Sequence, residues 1–145
     1  MALHVEVITP QQIIYSGEVD MISVPGSDGM MGIMRGHAPL ISTLDTGELI
    51  LHEGSEQSFI AVSGGVVEVR PDKVTVLADV GESAEEIDVE LAEAALAAAQ
   101  QSLADNPPAE HRAPLLESIR RSNLQLKVAR KRRQRRTGPT FEGDS

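Results

Sequence analysis

The 145-residue chain has no Cys, no Trp and three aromatic residues. That length fits one domain, or one domain with an appendage; 41% apolar content supports a core and excludes general disorder. The lack of Cys excludes disulfides, thiolate zinc sites and cysteine nucleophiles. The net charge of −9 averages over unlike regions: residues 1–84 hold 12 Asp/Glu against 3 Lys/Arg, residues 85–111 hold seven acids and no Lys/Arg, and residues 112–136 hold ten bases against Glu117 alone. An acidic body therefore leads to an acidic segment and then a strongly basic one. No apolar run approaches the ~20 residues of a membrane span. The opening Met1-Ala2-Leu3-His4-Val5-Glu6 lacks the basic region and apolar stretch of a secretory signal.

Up to about Val80 the apolar period is two. Leu3, Val5 and Val7 alternate with His4 and Glu6, and Val19 and Met21 alternate with Asp20 and Ile22. Further strand-like runs are Leu49-Ile50-Leu51, Phe59 to Val62, Val66 to Val69 and Val74 to Leu77. Val and Ile dominate them, as a pleated, half-buried surface favours. Turn residues separate the runs at Thr9-Pro10, Pro25-Gly26, Thr46-Gly47, Glu53-Gly54, Gly64-Gly65 and Pro71-Asp72. Short strands with closely spaced turns predict an antiparallel β-sandwich or barrel over residues 1–82. With Tyr15 and Phe59 its only aromatics, its core must be aliphatic.

After Gly81 the period becomes helical. Ser83-Ala84-Glu85-Glu86 has capping-box spacing, with Ser83 as cap and Glu86 reaching back. Ile87, Leu91, Ala94, Ala95, Ala98 and Leu103 then mark one face. Asp105-Asn106-Pro107-Pro108 ends this helix. A second helix is expected with Pro114 near its first position. Its stripe runs through Leu115, Leu116, Ile119, Leu126 and Ala129, interrupted by Ser122 and Asn123. Residues 83–136 thus read as an antiparallel two-helix hairpin, and residues 137–145 as a disordered tail. The fold class is α+β, a sandwich followed by a hairpin.

The chemistry is thin. His4, His37, His52 and His111 lack metal-ligand spacing. No nucleophile–base pair or paired-carboxylate constellation is visible, so no catalytic or metal residue is assigned. Gly26-Ser27-Asp28-Gly29-Met30-Met31-Gly32 lacks the Lys-Ser/Thr that completes a phosphate loop and reads as a flexible turn. Met30, Met31 and Met34 fit two readings equally, one or two tucked into the sandwich end, or an adaptable apolar docking surface. The basic run through Arg130, Lys131, Arg132 and Arg133 fits three: a solvated helix end, a nucleic-acid contact, or an arm for an acidic protein surface. An acidic body and no interleaved aromatics oppose the second.

Gly32-Ile33-Met34-Arg35-Gly36-His37-Ala38-Pro39-Leu40, with Ser63-Gly64-Gly65 and Val74 to Asp79, closely resembles the epsilon subunit of F-type ATP synthases. The opening Leu3 to Pro10 and Tyr15-Ser16-Gly17 fit the same family, and the match covers roughly residues 1–130. The resemblance implies a non-catalytic rotor subunit at the cytoplasmic face of a bacterial plasma membrane, peripheral to it. Its partners would be the gamma subunit, the c-ring and the alpha/beta catalytic head, with no nucleic acid. Asp28, Met30, Met31, Met34, Arg35 and His37 would contact the c-ring or gamma, with His37 fixing the loop's shape or the gamma contact rather than exchanging protons. Met30 stands where the family often has a polar residue, which makes an apolar contact more plausible. The hairpin would inhibit ATP hydrolysis through Ser122, Asn123, Leu126, Arg130, Lys131, Arg132 and Arg133. The family's ATP signature is Ile/Leu-Asp followed, two residues later, by Arg-Ala. This chain keeps Ile87, Asp88 and Ala92 but has Leu91 in place of the Arg; Arg112, Arg120 or Arg121 on the second helix could compensate, but weak or no ATP binding and no other cofactor is expected.

Overall fold

The computed structural model describes residues 2–137, with side chains through Lys131. The strands are β1 Leu3–Ile8, β2 Ile13–Val19, β3 Met21–Gly26, β4 Gly29–Met34, β5 Leu40–Thr43, β6 Gly47–Glu53, β7 Glu56–Val69 and β8 Lys73–Ser83. Helices α1 Val89–Ala104 and α2 Ala109–Thr137 follow. The chain divides into two compact units, one ending at Ala84 and one beginning at Glu85. Residues 138–145, the greater part of the expected tail, lie outside the described residues.

In the first unit the strand order is β2-β1-β8-β7-β6-β3-β4, with β5 also on β7. Two layers arise because β7 and β8 are long enough to serve both. β7 pairs with β6 through Glu56–Val62 and with β5 through Val66–Val69. β8 pairs with β1 from Lys73 to Leu77, while Val80–Ser83 remain on β7. The change of partner falls at Gly64-Gly65, whose φ values are +74° and +116°. Residues with a Cβ rarely adopt such angles. A Cβ on Gly65 would also run into the Leu77 carbonyl and lie 2.8 Å from Ala78 Cα. The β1–β8 pair is parallel; the other pairs are antiparallel.

Alternation decides what is buried. Leu3, Val5 and Val7 of β1, Ile22 and Val24 of β3, Leu49 and Leu51 of β6, and Val74 and Val76 of β8 point into one aliphatic core. Full burial of each such side chain contributes roughly 1.5–3 kcal/mol. Tyr15 packs at the margin of this core; burial, then the Glu53 carboxylate, raises its phenol pKa.

The second unit departs from the sequence reading in four places. Ser83 is not a helix cap but the last residue of β8, where β7 still pairs with it. Sheet hydrogen bonds that continue an existing ladder prevail over one hydroxyl cap. Ala84–Glu86 form a 3-10 turn, and Asp88 caps α1, its Oδ1 accepting the Leu91 N–H at 3.1 Å. Asp88→Ala should cost about 1 kcal/mol, read as a lower midpoint for loss of the helical circular-dichroism signal.

The face of α1 is also rotated from expectation. Ala92 and Ala99 are buried and Leu96 and Leu103 half-buried, while Ala94, Ala95 and Ala98 are exposed. Leu91 is 68% exposed. Seven alanines between Ala92 and Ala104 put small apolar groups on every side, so composition selects no phase. Packing against α2 selects it. Finally, α2 begins at Ala109, which leaves Pro114 inside it. Pro107 and Pro108 already turn the chain, and the His111 N–H bonds the Pro108 carbonyl at 2.9 Å. Pro114 then costs a helical hydrogen bond, about 3 kcal/mol, offset by packing on α1. Ser122 does not interrupt the stripe of α2. It is buried with Val128 and Ala129, on the face that includes Leu115, Ile119 and Leu126.

Candidate functional site

The expected flexible turn at Gly26–Gly32 is a β-hairpin. Gly26 pairs with Gly29 across the two-residue turn Ser27-Asp28, and Met30 to Met34 pair with Pro25 to Met21. The strand period divides the methionines. Met31 packs on the core beside buried Ile33, whereas Met30 and Met34 are each 59% exposed. β4 is the end strand in the order, so these two side chains stand on an outer edge. Asp28 and Arg35 flank it, both exposed. Arg35 Nη1 donates to the Ala2 carbonyl at 3.3 Å.

His37 closes the turn after β4. Its backbone N–H donates to the Met34 carbonyl at 3.2 Å, and its Nδ1 lies 2.7 Å from the Ala38 carbonyl. A carbonyl acceptor requires the hydrogen on Nδ1. The adjoining Gly36, at φ +91°, bonds its N–H to the Pro71 carbonyl. The Gly-His pair therefore anchors the end of β4 to the β7–β8 turn.

A second apolar surface was not singled out in the sequence. Ile13 pairs with Ile8, Ile8 with Leu77, and Leu77 with Val66. Paired residues share a face, so the four form one row across β2, β1, β8 and β7. Ile13 and Leu77 are 64% and 52% exposed. The available signal was Leu77, an apolar residue in outward phase between Val76 and Ala78.

The other histidines form no metal site. His4 lies 3.7 Å from Glu6, which Lys73 also pairs at 3.4 Å. Among the described residues no group of three His, Cys, Asp or Glu could hold an ion. β3–β6 pairing does bring Ser23 Oγ within 3.2 Å of His52 Nε2, a contact invisible in the sequence. The group on its Nδ1 is the Gln57 amide at 3.3 Å, which lacks the charge that stabilises an imidazolium in a hydrolytic triad.

In the hairpin, each retained residue of the ATP signature has a structural place. Ile87 and Ala92 are buried, Asp88 is the α1 cap, and Leu91 projects outward. On α2, Asn123 and Arg130 are exposed, while Leu126 and Lys131 are half-buried. Arg132 and Arg133 continue the helix; their side chains lie outside the described residues.

The family model for the ATP synthase, Delta/Epsilon chain, beta-sandwich domain matches residues 2–84, the whole β-unit. The chain belongs to the ATP synthase epsilon-chain family. The ATP synthase epsilon chain of Dehalococcoides mccartyi is 45% identical over 132 residues, covering 90% of this chain and 94% of that one. The epsilon chain of Chloroflexus aggregans is 44% identical over 138 residues, covering 92% and 99%. Similarity to these family members thus extends through the hairpin. A chain in the structure of the Euglena gracilis mitochondrial ATP synthase OSCP/F1/c-ring shares the fold, with TM-score 0.67 at 21% identity over 91% of this chain and 79% of that one. One in the Tetrahymena thermophila central stalk/c-ring structure gives 0.56 at 16% identity over 89% and 97%. Among the described residues no helix is long and apolar enough to cross a membrane.

Proposed function

We propose that this epsilon-family chain is a non-catalytic central-stalk subunit of a proton-translocating F-type ATP synthase. Its β-unit joins the gamma subunit and the c-ring, and its hairpin restrains ATP hydrolysis in the alpha/beta head. The complex holds it at the cytoplasmic face of a bacterial plasma membrane. The observation that carries the reading is the pair of outward apolar surfaces on the unit matched by the family model. A coupling part must dock on neighbours, and exposed contiguous apolar side chains serve docking.

The Met30/Met34 edge, flexible and polarisable, suits the c-ring, and the row Ile13-Ile8-Leu77-Val66 suits gamma. The test is capture of the rotor by the full tagged chain. Gamma and c subunits should co-purify, and Leu77→Asp with Ile13→Asp should reduce gamma recovery at least ~10-fold. Capture without gamma would sink the assignment.

Weak or no nucleotide binding is expected alongside this reading. With Leu91 exposed where the signature has Arg, no cation stands at that position to meet a phosphate. Isothermal titration of ATP into the full chain should show no binding at micromolar concentration; a micromolar dissociation constant would overturn this.

A further inference from the structure

We infer that the β4 edge is a self-complementary surface through which two copies of the free chain pair, strand to strand. The two-residue turn makes Gly26–Gly29 a hydrogen-bonded pair, and such pairs alternate along an antiparallel ladder. The N–H and C=O groups of Met30, Gly32 and Met34 therefore point away from β3. Among the described residues no strand lies on that side. The His37 N–H takes one of these groups, the Met34 carbonyl, at 3.2 Å.

Sheet edges are normally guarded by charge, proline or a bulge. The opposite edge follows that rule, with Glu18 in β2 and a register shift in its ladder with β1. Gly29–Met34 has no charge, no proline and no register shift. Such an edge is a template for another strand.

A second copy fits it in both pattern and charge. In an antiparallel pair centred on Gly32, Met30 of one copy faces Met34 of the other, and Met31 faces Ile33. Outward residues then meet outward residues, as cross-strand pairing requires. The three residues with outward backbone groups fall together at the hydrogen-bonded positions. Gly32 lies on the two-fold axis, giving an isologous contact. Asp28 and Arg35, the charges flanking the strand, approach their opposites at each end, whereas a parallel pairing would bring like charges together. One six-residue strand per partner is a small interface, so the dimer is weak.

The inference concerns the free chain and does not rest on the stalk assignment. Sedimentation equilibrium of the full chain from about 10 μM to about 1 mM should show a monomer–dimer equilibrium. Gly32→Pro removes an outward donor at an edge position that tolerates proline, and should weaken association at least ~10-fold with circular dichroism unchanged. If that variant does not fold, Met30→Lys at the same edge decides by the same criterion. Asp28→Arg should also weaken the dimer, and Asp28→Arg with Arg35→Asp should restore it. A monomer at every concentration, or a dimer indifferent to the edge variants, would overturn the inference.

Discussion

Gly65→Val is expected to leave little folded β-unit at 25 °C. The residue sits at φ +116°, where a β-branched side chain is strained in any surroundings. Its Cβ would also overlap the Leu77 carbonyl and press on Ala78 Cα, and both atoms are backbone that cannot step aside. The β7–β8 ladder runs past this point on both sides, from Ile60–Ser83 to Val69–Val74. Relief would require parting the two strands that serve both layers. Domains are stable by only ~5–15 kcal/mol, and a substitution combining backbone strain with a core clash belongs to the group costing above ~4–5 kcal/mol. Urea unfolding followed by circular dichroism reads the result. Gly54→Ala is the control: its φ is +58° but nothing lies within 4 Å of a Cβ there, so the loss should be near ~1 kcal/mol. Equal losses at the two sites would show that the φ angles, and not the layer change, set the cost.

Ending the chain at Ala129 should raise ATP hydrolysis by the assembled enzyme about fivefold or more, the equivalent of ~1 kcal/mol of lost contact. The prediction belongs to the proposed regulatory role. Val128 and Ala129 are buried, so the cut falls after them. Arg130 is exposed, and five further bases follow between Lys131 and Arg136. In the proposed role these adjacent cations would meet an acidic partner. A full-length variant with Arg130, Lys131, Arg132 and Arg133 changed to Gln keeps helix propensity and removes four charges. It should release hydrolysis as the truncation does, and raised salt should do the same to the unaltered enzyme through screening. Unchanged hydrolysis in both variants would remove the basic end from the mechanism. Release by truncation alone would assign the effect to helix length.

The identity of the core residues was legible because a strand's period is two, and Leu3, Val5, Val7, Val74 and Val76 obey it. The hairpin was legible because Asp105-Asn106-Pro107-Pro108 can only interrupt a helix. Asn106 indeed takes φ +57° there. The outward methionine edge was half legible. Three methionines beside glycines marked the place, but only the β3–β4 register showed that Met31 turns inward and Met30 and Met34 outward. The row from Ile13 to Val66 needed three separate pairings and has no local signature.

The sequence by itself determined which residues are apolar, where the chain must turn, and that an acidic β-unit precedes a basic-ended hairpin. These are local consequences of side-chain chemistry and backbone freedom. The tertiary structure decided the parallel β1–β8 pairing, the cap at Asp88, the face that α1 buries and the place of Pro114 within α2. Each is a competition between alternatives of similar local energy. The contacts that settle such a competition join residues far apart in the chain, as β1 and β8 are, or choose among faces that alanine leaves equivalent.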